Sequence, residues 1–101
     1  MDILDLGGNI ELSGFSGLQP AELDVVKKIV GNHAKRISDV CTNFEKLSIY
    51  MKTVHSTEAS KKFEIHAKLL DNGKHSTTEV VDRSIFAGID SALTKISKIV
   101  H

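Results

Sequence analysis

The sequence predicts an α+β two-layer sandwich of order β-α-β-β-β-α, with a four-stranded mixed sheet and both helices on one face. Three observations predict it. Apolar residues recur at period two in three stretches and at spacings of three and four in two others. Asn72-Gly73 lies between two alternating runs, and that dipeptide suits a two-residue hairpin turn because both central residues take positive φ. The opening strand-helix-strand order implies a crossover whose two strands run parallel.

Each element follows from its residues. "NIELSGF" alternates Ile10 and Leu12 against Glu11 and Ser13, a strand pattern. "GLQP" turns the chain, and Pro20 suits the first position of a helix. Glu22 and Asp24 follow where acids complement the helix dipole. Leu23, Val26, Val30, Ile37 and Val40 form an apolar stripe that carries this helix to about Cys41. "KLSIYMKTV" places Leu47, Ile49 and Met51 on one strand face, and "KKFEIHAKLL" does the same for Phe63, Ile65, Ala67 and Leu69. The Asn72-Gly73 turn then pairs Asp71 with Lys74, Leu69 with Ser76, Ala67 with Thr78 and Ile65 with Val80. The fourth strand covers about 74–81, and Asp82 or Ser84 caps the last helix. In that helix Ile85, Ile89, Ala92, Leu93, Ile96, Ile99 and Val100 share one face. Leu23, Val26, Val30, Ile49, Phe63, Ile65, Ile89 and Ile96 are expected to be buried.

The 101 residues suit one domain, expected over 9–101 after an N-terminal extension at 1–8. A single cysteine, Cys41, rules out an internal disulfide and fits a reducing compartment. No apolar run is long enough for a membrane span, and MDILDLGG has no basic segment of a signal peptide. A cytoplasmic protein without a membrane partner is expected.

Thirteen Lys and Arg balance thirteen Asp and Glu, which argues against a generic polyanion binder. The distribution is less even than the total. Residues 27–36 hold Lys27, Lys28, Lys35 and Arg36 without an acid, and Lys95 and Lys98 follow the last acid of the final helix. These six are the candidate RNA contacts. The plain alternative is a solvated face, with Asp24 placed to pair with Lys28 four residues on. The open sheet face, with Glu11, Ser13, Tyr50, Lys52, His66, Lys68, His75 and Thr77, is expected to be wet. On it Tyr50, Lys52, His66 and Lys68 form a secondary candidate, an aromatic and basic platform for bases.

Enzyme chemistry finds little support. No nucleophile, base and orienter form a recognisable set, the acids are scattered singly, and there is no phosphate-binding loop or dinucleotide fingerprint. No cofactor and no small-molecule substrate are expected. His33, His55, His66, His75 and His101 lack ligand spacing with Cys41 or one another. His66 and His75 are placed near each other across the hairpin with no third ligand, so no metal site is expected. "GFSG" at 14–17 lacks a basic residue with which to clamp a backbone.

Both ends of the sequence resemble the ribosome hibernation-promoting factor family, which includes protein Y. "NIELSG" at 9–14 is similar to its opening strand, and "SIFAGIDSALTKI" at 84–96 to its last helix through Phe86, Ala87, Ile89, Asp90, Ala92, Lys95 and Ile96. The family order is also β-α-β-β-β-α. The resemblance implies a short-form, monomeric, non-enzymatic factor that binds small-subunit rRNA. Such a factor blocks the mRNA and tRNA channel, and so regulates translation under stress. The alternative from a different class is a protein-interaction or assembly module on the same scaffold with no nucleic-acid role.

Overall fold

The computed structural model describes residues 3–57 and 60–100, with side chains described for 3–54 and 61–100. The order is β1 (Ile3–Gly7), β2 (Ile10–Ser13), α1 (Pro20–Val40), β3 (Phe44–Thr57), β4 (Ser60–Asp71), β5 (Lys74–Asp82) and α2 (Ile85–Val100). The expected α+β sandwich holds. The strand count does not, because the sheet has five strands in the order β1-β2-β3-β4-β5. The added strand comes from the segment read as an extension. It folds back antiparallel on β2 with Leu4 opposite Leu12, through a turn whose Gly7, Gly8 and Asn9 all take positive φ. Leu4 and Leu6 pack against the core, which gives this short strand its reason to form.

β2 and β3 run parallel on either side of α1, as the crossover requires. The β4–β5 hairpin has the register set by the Asn72-Gly73 turn: Asp71 faces Lys74, Leu69 faces Ser76, Ala67 faces Thr78 and Ile65 faces Val80. Both turn residues have positive φ, 50° and 80°. β3 and β4 are longer than the hydrophobic alternation alone indicates. They continue pairing past Thr53 and Phe63 after an irregularity between Thr53 and His55.

The two helices pack on each other and on one sheet face. Leu12, Val26, Val30, Ile37, Leu47, Ile49, Ile65, Leu69, Ile89, Leu93 and Ile96 are almost completely excluded from solvent. Two of the expected core residues, Leu23 and Phe63, are only half-buried and pack at its margin. Phe63 lies where β4 leaves the helix layer, opposite Asp82 at the end of β5. Ile65→Ala is therefore expected to cost about 2–5 kcal/mol, and Phe63→Ala less than the about 3–5 kcal/mol of a fully buried Phe. Urea midpoints of the two variants measure the difference.

The helix ends are satisfied locally. The Glu22 carboxylate accepts from the Gln19 backbone N–H at 3.0 Å, just before Pro20. Of the two expected caps for α2, Ser84 is the one used. Its hydroxyl accepts from the Ala87 N–H at 3.2 Å, while Asp82 accepts from the Ser84 N–H at 2.8 Å.

A small polar clasp ties the β4–β5 turn to the end of α1. Asp71 accepts from the backbone N–H groups of Thr42 and Asn43 at 3.3 and 2.7 Å, and Glu45 accepts from Gly73 at 2.7 Å. Burial, together with the Asp71 charge and its hydrogen bond, pushes the Cys41 thiol up from 9.0 to about 11. The folded state thus holds its proton more tightly than the unfolded chain. The resulting stability is full below 9.0 and is lost as pH rises through about 11. Iodoacetamide labelling at pH 8 is expected to be about tenfold slower in the folded protein than in urea, the smaller thiolate fraction being partly offset by the greater nucleophilicity of the more basic thiolate.

Candidate nucleic-acid interface

The six cations singled out from the sequence all lie in the helix layer and all are exposed: Lys27, Lys28, Lys35 and Arg36 on α1, Lys95 and Lys98 on α2. None forms an ion pair among the described residues. The Asp24–Lys28 pair that the spacing suggested is not made. With Glu22, Asp24, Asp39 and Asp90, the two helices hold six cations against four acids. The rest of the chain therefore holds seven cations against nine acids. The neutral total conceals a helix layer that is positive relative to the remainder.

The six do not form one stripe. At about 100° per residue, Lys28 and Lys35 lie about 20° apart on the side of α1 opposite its buried Val26, Val30 and Ile37. Arg36 is turned towards α2 and lines the interhelical groove with His33, Val40, Thr94 and Ser97. Lys98 lies on the outer side of α2. Lys27 and Lys95 lie on the flanks that face away from the partner helix. Lys28, Lys35, Arg36 and Lys98 thus share the outer surface, and Lys27 and Lys95 border it. Between the helices, His33 Nε2 meets Asp90 Oδ1 at 2.7 Å. Asp90, one of the residues that carried the family resemblance, is a clasp between the two helices.

The open sheet face is different in kind. Tyr50 is 43% exposed, and its ring stands 5.8 Å from that of His66 at 45°. The two rings thus stand as neighbours on this face. Lys46, Lys52 and His66, however, are met by acids. Lys52 Nζ is 3.9 Å from Glu64, Lys46 is 3.1 Å from Glu11, and His66 Nε2 is 2.5 Å from Glu64 and 3.9 Å from Glu79. Lys68 is exposed without an ion pair among the described residues. This face is close to neutral, so its field attracts a polyanion less than that of the helix layer.

One further point corrects the sequence reading and another adds to it. His75 lies opposite Leu70, and His66 lies opposite Glu79. The imidazole neighbours are therefore carboxylates, and Glu64, His66 and Glu79 bring one ligand atom each to within 4.8 Å of one another. The signal was available. The register that pairs Ile65 with Val80 also pairs His66 with Glu79, and Glu64 lies on the same face two residues before His66. The other point is Phe15 of "GFSG", which is buried as a plug of the core, with its carbonyl accepting from the Leu18 N–H at 3.2 Å. His101 lies outside the described residues, as does the His55 side chain.

The exposed large apolar residues are spread over β1, β3, β5 and both helices, except that Val40 and Ile99 line one mixed groove with Asp71 and Lys74. No helix is long and apolar enough to cross a membrane.

This architecture places the chain in a class of small α+β sandwiches in which two helices cover one face of a largely antiparallel sheet. Two solved structures share it. The N-terminal domain of protein Y from Thermus thermophilus matches with a TM-score of 0.52 at 20% identity, covering 90% of this chain and 90% of that one. A ribosomal subunit interface protein from Coxiella burnetii matches with a TM-score of 0.57 at 10% identity, covering 91% of this chain and 90% of that one. The likeness read from the two ends of the sequence thus holds across the fold. No family model matches the sequence, and no curated protein matches it.

Proposed function

We propose that this chain is a non-enzymatic, ribosome-associated factor that regulates translation by docking on the small subunit and occluding it. The observation that carries the reading is the unpaired cations of the helix layer, on a fold shared over about 90% of its length with two proteins, one described as a ribosomal subunit interface protein. Phosphates dominate affinity for RNA, and structured RNA is recognised chiefly by shape and backbone. Exposed lysines on two rigid, packed helices fit that task. The molecule is also narrow, 45 × 23 × 22 Å, which suits a body that fills a channel. Lys28, Lys35, Arg36 and Lys98 make the central contacts, and Lys27 and Lys95 extend them at the borders. Such a factor works in the cytoplasm as a monomer.

Gradient co-sedimentation with separated ribosomal subunits tests this reading. The protein is expected to travel with the small subunit at low salt and to leave it as salt rises. Travel with neither subunit at about 50 mM salt would defeat it.

A further inference from the structure

The sheet face opposite the candidate RNA surface carries a different chemistry. We propose that Glu64, His66 and Glu79 form a site for a divalent transition metal of mixed nitrogen and oxygen preference, such as Zn²⁺. The backbone builds it. Glu64 and His66 are two apart on β4 and so share a face, while Glu79 on β5 is the direct cross-strand partner of His66. One imidazole nitrogen and two carboxylate oxygens lie within 4.8 Å of one another.

The separations suit a metal. Ligands at about 2.0–2.2 Å from a tetrahedral centre stand about 3.4 Å from each other. The present separations of His66 Nε2 from Glu64 and Glu79, 2.5 and 3.9 Å, bracket that value, so small side-chain rotations complete the set. Two carboxylates around one imidazole leave excess negative charge. Within reach it is offset by Lys52, 3.9 Å from Glu64, which is itself half-exposed and free to swing away. Imidazole selects borderline metals over Mg²⁺ and Ca²⁺. Three protein ligands leave a position open to solvent, which is possible because Glu79 is 57% exposed. A bound ion cross-links β4 to β5 and stabilises the hairpin. None of this depends on the ribosome reading.

The chain offers its own reporter. It has one tyrosine and no tryptophan, so its intrinsic emission belongs to Tyr50, whose ring is 5.8 Å from that of His66. Titration with Co²⁺ at pH 7.5 is expected to quench Tyr50 emission with a stoichiometry of one, and Mg²⁺ to leave it unchanged. Zn²⁺ is expected to compete with Co²⁺ and to raise the melting temperature. H66Q and E79Q are each expected to weaken Co²⁺ binding by at least about tenfold while the circular dichroism stays that of wild type. H33Q is expected to bind as wild type does. Quenching that persists unweakened in both H66Q and E79Q, or no quenching up to about 1 mM Co²⁺, would overturn the proposal.

Discussion

Gly14→Ala is expected to destabilise the protein by about 2–5 kcal/mol, one of the largest effects of any single methyl group in this chain. Two causes act together. Gly14 has φ of 83°, in the left-handed region, where a side chain costs about 1–2 kcal/mol. A Cβ there would also stand 2.0 Å from the Met51 carbonyl oxygen, so β2 and β3 must separate at the end of their parallel pairing. Forcing extra volume into such a contact costs about 1–3 kcal/mol. Small domains have only about 5–15 kcal/mol of stability in all, so the variant is expected to show a much lower urea midpoint. Gly17→Ala is the control. No neighbouring atom lies within 4 Å of its added methyl, and its change is expected to stay within about 0.5 kcal/mol. The Ser-Gly that closes the first sequence motif thus has a physical reason: only glycine lets the chain turn so close to β3.

Changing Lys28, Lys35 and Lys98 together to Ala is expected to flatten the salt dependence of small-subunit binding by about 2–3 units in log affinity against log salt. Each phosphate contact releases about one counterion, and four or five contacts on a duplex-like site give a wild-type slope of about −3.6 to −4.5. The three lysines are exposed, carry no ion pair among the described residues and lie outside the core, so the fold is expected to survive their loss. The pair Lys27 and Lys95, at the borders of the surface, is expected to flatten the slope by less than about one unit when changed to Ala. Equal effects of the two sets would mean that the outer surface is not what meets the RNA. Attention would then move to Tyr50, Lys52, His66 and Lys68.

Much of the fold was legible because its strongest determinants are local. Asn72-Gly73 sets a register that runs unbroken to Phe63 and Asp82. The apolar stripes of α1 and α2 mark the faces that meet the sheet, and Ser84 and Pro20 mark where they start. β1 was not read because only Leu4 and Leu6 pack inward, over five residues; its signal was the Gly8-Asn9 pair, a two-residue turn with positive φ at both positions like Asn72-Gly73, followed directly by the alternating run of β2. The full reach of β3 and β4 was hidden for a related reason. Past Thr53 the strands go on pairing with each other, and Thr53, Val54, Lys61 and Lys62 are all exposed, so no alternation of buried and exposed side chains marks these four positions.

The candidate surface was legible as residues and not as geometry. Spacing alone groups the lysines, but which of them face outward depends on where α2 lies against α1, a contact bridged by His33 and Asp90, 57 positions apart. The pairing of Lys52 and His66 with acids likewise depends on cross-strand register and on rotamers. That pairing is what separates a neutral sheet face from a positive helix layer.

Competition for the small subunit tests the central claim most directly. Small subunits carrying a fluorescent mRNA are titrated with the protein at about 100 mM salt, and the anisotropy of the mRNA is followed. Occlusion predicts stoichiometric release of the mRNA, with one protein bound per mRNA released and with loss of the effect in the Lys28, Lys35 and Lys98 variant. Protein and mRNA held together on the same small subunit at saturation would contradict it.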